Sequence, residues 1–159
     1  MIELDKLPLV GNEELVARVI FPPKMIRNGH ILPAAFVLRP SINEEYLSVL
    51  RISTPTFNAD VKNIIYGRKR SFYGFAVLYT DEIHGIRLTD GTNTMQCSIR
   101  VVGADHVKSH AGIFIILNGQ PVTGSMSFEQ LPNGATQRFL LLAMRFRLTE
   151  LADKGLVAF

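Results

Sequence analysis

The chain has no tryptophan and one cysteine, Cys97, among its 159 residues. A single thiol cannot close a disulfide within the chain, so a disulfide-stapled secreted scaffold is excluded and a reducing, cytoplasmic setting is expected. Charge is scarce as well: 19% of residues are charged, and 17 Lys and Arg against 14 Asp and Glu leave a net charge of +3. That balance permits nucleic acid as a partner without implying it. Long apolar runs are missing; residues 139–144 are far short of the ~20 residues a membrane-spanning helix needs. The first six residues alternate acidic and apolar side chains and lack the basic region and apolar core of a secretory signal. Absent too are a Gly-x-Ser-x-Gly elbow, a phosphate-binding glycine loop and a dinucleotide fingerprint.

What is present is apolar. Hydrophobic residues make up 47% of the chain, the mean hydropathy is +0.18, and 17.7 kDa suits one domain, 1–159, able to bury its own core. β-Branched residues mark strands over 15–21, 30–38 and 46–52, with Pro22-Pro23 and Pro40 as stops and Pro33 implying an edge or bulge. Residues 58–66 show helical spacing, with Thr56 or Asn58 as cap and Gly67 just past the end. Strand character returns at 72–79, 84–89, 95–102 and 111–117. The turn-rich 90–94 makes one hairpin, and Asn118-Gly119 makes a second of type I′ with a short return at 120–123. Residues 135–153 predict one long helix ended by Lys154 and Gly155. The expected fold class is α+β: a mostly antiparallel, bent sheet of about seven or eight strands, one short helix, and the long C-terminal helix packed on the sheet.

On that helix Leu140, Leu141, Met144, Leu148, Leu151 and Ala152 share one arc that docks on the sheet. Phe139, Leu142 and Phe146 form a second stripe on the opposite side, edged by Arg138, Arg145 and Arg147. Two readings stay open for it. Loops such as 22–29 or 121–132 cover it, or it is an interface for a second copy or a larger protein, joined by the apolar tail ending at Phe159.

Three groups of residues bear on chemistry. His106 and His110 stand at a zinc-like spacing, but no glutamate follows the first, no third ligand appears, and residues four apart in a strand lie about 13 Å apart, so no metal is predicted. Arg68, Lys69 and Arg70 with Tyr66, Phe72 and Tyr73 have the composition of a nucleic-acid loop, and equally that of a solvated loop after a helix. Ser48, Arg51, His30 and His110 converge if the second, third and seventh strands are neighbours. They would then supply a hydroxyl, an anion fork and a base near neutral pH.

Gly29-His-Ile-Leu-Pro-Ala-Ala-Phe36, Leu47-Ser-Val-Leu-Arg51 and Ser109-His-Ala-Gly-Ile113, with Leu151-Ala152 near the end, resemble a group of short bacterial proteins that share Ala-Phe, Leu-Ser-Val and His-Ala-x-Ile elements. The resemblance implies a small bacterial protein, draws interest to Ser48, Arg51 and His110, and implies no reaction or cofactor. Surplus apolar surface without a catalytic signature makes a non-enzymatic interaction module, self-associating or docking on a larger protein, the first expectation. A small enzyme or ligand-binding domain for a phosphate-bearing or nucleotide-like molecule is the second, and nucleic-acid binding through Arg68, Lys69, Arg70 and Tyr73 the third.

Overall fold

The computed structural model describes residues 3–67, 72–103, 107–125, 138–139 and 142–147. After a 3-10 turn at Leu4–Lys6, strand β1 (Leu15–Ile20) runs to the Pro22-Pro23 stop, and a two-residue hairpin follows, β2 (Ile26–Arg27) and β3 (His30–Ile31). Asn28 and Gly29 make its turn, with φ of 52° and 77°, the left-handed pair that a type I′ hairpin requires. Two further 3-10 turns, Pro33–Phe36 and Pro40–Ile42, lead to β4 (Leu47–Arg51), helix α1 (Phe57–Gly67), β5 (Gly74–Tyr79) and a five-residue helix α2 (Thr80–His84). Five further strands follow among the described residues: β6 (Arg87–Asp90), β7 (Asn93–Val101), β8 (His110–Leu117), β9 (Gln120–Pro121) and β10 (Met144–Arg147). Asn118 and Gly119, with φ of 51° and 82°, turn β8 into β9, as their sequence implies.

The main sheet is antiparallel throughout, in the order β10-β5-β1-β4-β8-β7-β6, with β9 beside β8. Side chains alternate across it, which divides the core in two. Val16, Ile20, Leu47, Val49, Leu78 and Ile113 face a large cluster closed by Phe36, Ile83 and Phe139. Ala17, Leu50, Phe75 and Val77 face α1, which lays Phe57 and Val61 on them.

The long C-terminal helix must be corrected. Residues 144–147, inside the span expected to be helical, form β10, which pairs with β5 from Met144↔Val77 to Arg147↔Gly74. Met-Arg-Phe-Arg alternates apolar and charged residues with period two, and the free edge of β5 offers it a ladder of backbone partners that outweighs the helical propensity of Leu, Met and Arg. What helical character is described lies before it, where the Ala143 N–H donates to the Phe139 carbonyl at 2.9 Å. Leu140, Leu141, Leu148, Leu151, Ala152 and Phe159 lie outside the described residues. The second expected strand is also shorter than 30–38: β3 ends at Ile31, because Pro33 starts a 3-10 turn there.

Candidate ligand-binding site

Strands β1 and β4 part company soon after they meet. β1 pairs with β5 along all six of its residues, yet with β4 only at Val16↔Arg51 and Ala17↔Leu50. Continued, that register would set Val19 opposite Ser48; instead β4 follows β8, with Ser48 opposite Gly112 and Leu50 opposite His110. A cleft of about 320 Å³ opens where the strands diverge, within the range of small-molecule sites. Its walls are largely aliphatic, with Val19, Met25, Val37, Leu50, Ile64 and Val107 among them, and its polar groups are Arg18, Lys24, Arg39, Glu44, Ser48 and His110.

Arg18 is the residue that the divergence displays. It stands in an otherwise apolar strand, Leu-Val-Ala-Arg-Val-Ile, and is buried to 9% exposure. A guanidinium is not deprotonated in a protein, so its burial requires acceptors. It finds them in two carbonyls, Nε donating to Ala35 at 2.6 Å and Nη1 to Ser48 at 2.8 Å. The second bond bridges the parted strands and sets a fixed positive charge beside Ser48.

Ser48 Oγ and His110 Nε2 are 3.2 Å apart at the cleft. Tyr46 holds the imidazole from one side, ring centroids 5.8 Å apart in an edge-on contact, and also packs 5.1 Å from Phe114. It can do so because Gly112 lies between those residues without a side chain; a Cβ there would come within 2.6 Å of Tyr46 Cδ2. Burial, then the carboxylates of Glu45 and Glu44, push the Tyr46 phenol up, so it stays protonated. The strand end before His110 is pinned as well. Asp60, buried on α1, accepts from the Ser109 N–H at 3.0 Å, the Ser109 hydroxyl at 2.7 Å and the Thr56 hydroxyl at 2.9 Å.

Among the described cleft residues, cations outnumber carboxylates. Arg39 and Glu44 neutralise each other through two guanidinium bonds of 3.1 and 2.9 Å to one carboxylate oxygen. Arg18 and Lys24 are the other charged side chains among the described cleft residues. A further cavity, about 350 Å³, is lined by Leu4, Asn43, Glu45, Phe114, Gln120, Pro121 and Thr123, and no cation is among them.

The other sequence candidates fall elsewhere. Arg51 is not a cleft residue: it makes a two-pronged pair with Glu14, Nε–Oε1 and Nη2–Oε2 both 2.9 Å, which Ser53 joins at 3.0 Å. Through that bond Arg51 holds the Glu14 carboxyl below its ordinary range, and Glu14 raises Arg51 in return. His30 is exposed on the β2–β3 hairpin, outside the cleft residues. Phe139, expected on an interface stripe, is wholly buried 5.8 Å from Phe36. Leu142 is half-buried against the same core, while Arg138 and Arg145 are exposed. Phe146 is placed only by its backbone register opposite Phe75. Tyr73 is half-buried against the core; Arg68, Lys69, Arg70 and His106 lie outside the described residues. Cys97 is buried, and its thiol is pushed up to about 12 by that burial. Among the described residues no group of three or more His, Cys, Asp or Glu is arranged to hold a metal, and no helix is long and apolar enough to cross a membrane.

Compared with known proteins, the chain matches no family model, no curated protein and no solved structure.

Proposed function

We propose that this chain is a cytoplasmic ligand-binding domain whose cleft takes a small carboxylate with an aliphatic body. The observation that carries the reading is the buried guanidinium of Arg18 in the lining of an aliphatic cleft, with Lys24 in the same lining and Glu44 committed to Arg39. Planar guanidinium suits a carboxylate, and aliphatic walls suit a saturated chain better than a nucleobase, which is recognised by stacking on aromatic rings. Phe21, the one aromatic ring among the described cleft residues, is itself engaged edge-on with Phe72. Phe139, one residue of the stripe on which an interaction module would rest, is buried in the core. The cytoplasmic setting belongs to the same proposal and rests on the lone Cys97, which has no partner thiol in the chain.

A thermal-shift series with octanoate, octanol and adenosine monophosphate tests the reading. A ligand that binds only the folded state at 100 times its Kd adds about 2.7 kcal/mol. Octanoate is expected to raise the Tm by several degrees, octanol by less, and the nucleotide not at all. A shift from the nucleotide alone, or from none of the three, would overturn the proposal.

A further inference from the structure

We infer that Ser48 and His110 form a nucleophile–base pair that hydrolyses carboxylic esters of aliphatic acids, the acid released being the kind of ligand proposed for the cleft. The inference rests on that binding reading and adds a reaction to it. Three observations converge. The serine hydroxyl and the imidazole Nε2 stand 3.2 Å apart, the loose end of hydrogen-bond reach that such pairs show before substrate binds. Ser48 is exposed and lines the cleft, so an ester and then water can reach it. The imidazole is held on a central strand, braced by Tyr46 and preceded by Ser109, which Asp60 grips by both its N–H and its hydroxyl. Tyr46 and Asp60 are therefore positioning residues, acting through His110.

In the reaction Ser48 Oγ attacks the ester carbonyl carbon while His110 Nε2 takes the hydroxyl proton. The attack leaves a tetrahedral oxyanion on the former carbonyl oxygen. The carbon–oxygen bond to the alcohol then breaks, His110 returns the proton to the departing oxygen, and the acyl group remains on Ser48. Water, losing a proton to His110, attacks that acyl-serine; the bond to Oγ breaks, that proton passes to Ser48, and the carboxylic acid leaves and gives its remaining proton to solvent. Water is the only co-reactant, and nothing is oxidised or reduced.

The test treats the intact protein with p-nitrophenyl octanoate and, separately, with an octyl fluorophosphonate, and locates the adduct by peptide mass spectrometry. The expected result is a stoichiometric nitrophenol burst and an adduct on the peptide containing Ser48. Ser48→Ala should abolish both, and His110→Gln should slow the burst by a factor on the order of 10² or more. Mapping the adduct on the unaltered protein makes the result independent of whether either variant folds. No adduct, or one on another residue, overturns the hydrolase inference. If octanoate still raises the Tm in that case, the binding reading stands and only the reaction fails; if it does not, both fail.

Discussion

Gly112→Ala probes the seat of Tyr46 and, through it, the placement of His110. A Cβ at residue 112 would lie 2.6 Å from Tyr46 Cδ2, 2.7 Å from Cγ and 3.0 Å from Cβ. The stem of the tyrosine is hit as well as its ring, so a rotation of the ring alone gives no relief. Overpacking of this kind costs about 1–3 kcal/mol, while alanine in a strand interior recovers about 0.5–1 kcal/mol relative to glycine. The net loss should be about 1–2 kcal/mol, or roughly 2–8 °C in Tm for a chain of this size. In a Tyr46→Ala background the obstacle is gone, and the same Gly112→Ala change should stabilise by about 0.5–1 kcal/mol. The sign therefore reverses between backgrounds, a coupling that a double-mutant cycle reads directly. Urea titrations followed by far-ultraviolet circular dichroism suit a chain without tryptophan. Equal effects of Gly112→Ala in both backgrounds would refute the seating of Tyr46 over β8.

Phe139→Ala should cost about 3–5 kcal/mol in the same titration, because a fully buried ring is removed from beside Phe36; an unchanged midpoint would return Phe139 to the surface. Asp60→Ala strands the Ser109 N–H and the Ser109 and Thr56 hydroxyls, and is expected to cost about 1–3 kcal/mol. Asp60→Asn, which keeps one acceptor oxygen, should cost less, and the reverse order would count against the assigned bonds. His84 predicts an acid limb. Its Nε2 accepts the Ile99 N–H at 3.0 Å and Nδ1 lies 2.7 Å from Asn12 Oδ1, a neutral tautomer with its proton on Nδ1. Burial, reinforced by Arg100 and Arg87, lowers its pKa below the ordinary 6.5. Between the folded value and 6.5 the unfolded chain binds the extra proton, so stability is full above 6.5 and falls as pH drops through the folded value. Glu14, lowered from 4.5, adds its loss only at more acid pH. His84→Gln should flatten the fall between pH 7 and 5 in urea titrations; a slope equal to wild type would remove His84 as its cause.

Local signals carried much of the sheet into view from sequence. β-Branched runs stand at β1, β4 and β8, and Asn118-Gly119 turns the chain where its tolerance for positive φ says it should. Asn28-Gly29 carries the same signal, yet the two-residue strands on either side are too short for period-two patterning to reveal them. Residues 144–147 mislead for a different reason. Over four residues Met-Arg-Phe-Arg fits both a helix face and an alternating edge strand, and the choice is made by the open edge of β5, a tertiary fact. The site divides similarly. Ser48 and His110 meet because β4 and β8 are neighbours, as the sequence candidates required, while Arg51 is captured by Glu14, 37 residues away. Arg18, and not Arg51, lines the cleft. Its signal was a lone charge in a strand of β-branched and apolar residues, the arrangement in which a guanidinium must find buried acceptors.

The most direct test of the account is an amide nitrogen–proton magnetic resonance titration of the protein with octanoate. Binding at the parted strands predicts saturable shifts concentrated at residues 17–19 and 48–50, with an affinity reduced about tenfold or more by Arg18→Gln, since a charge-assisted guanidinium–carboxylate bond is worth about 1.5–3 kcal/mol. Shifts that cluster instead around Phe114 and Thr123, or that persist unweakened in Arg18→Gln, would contradict it.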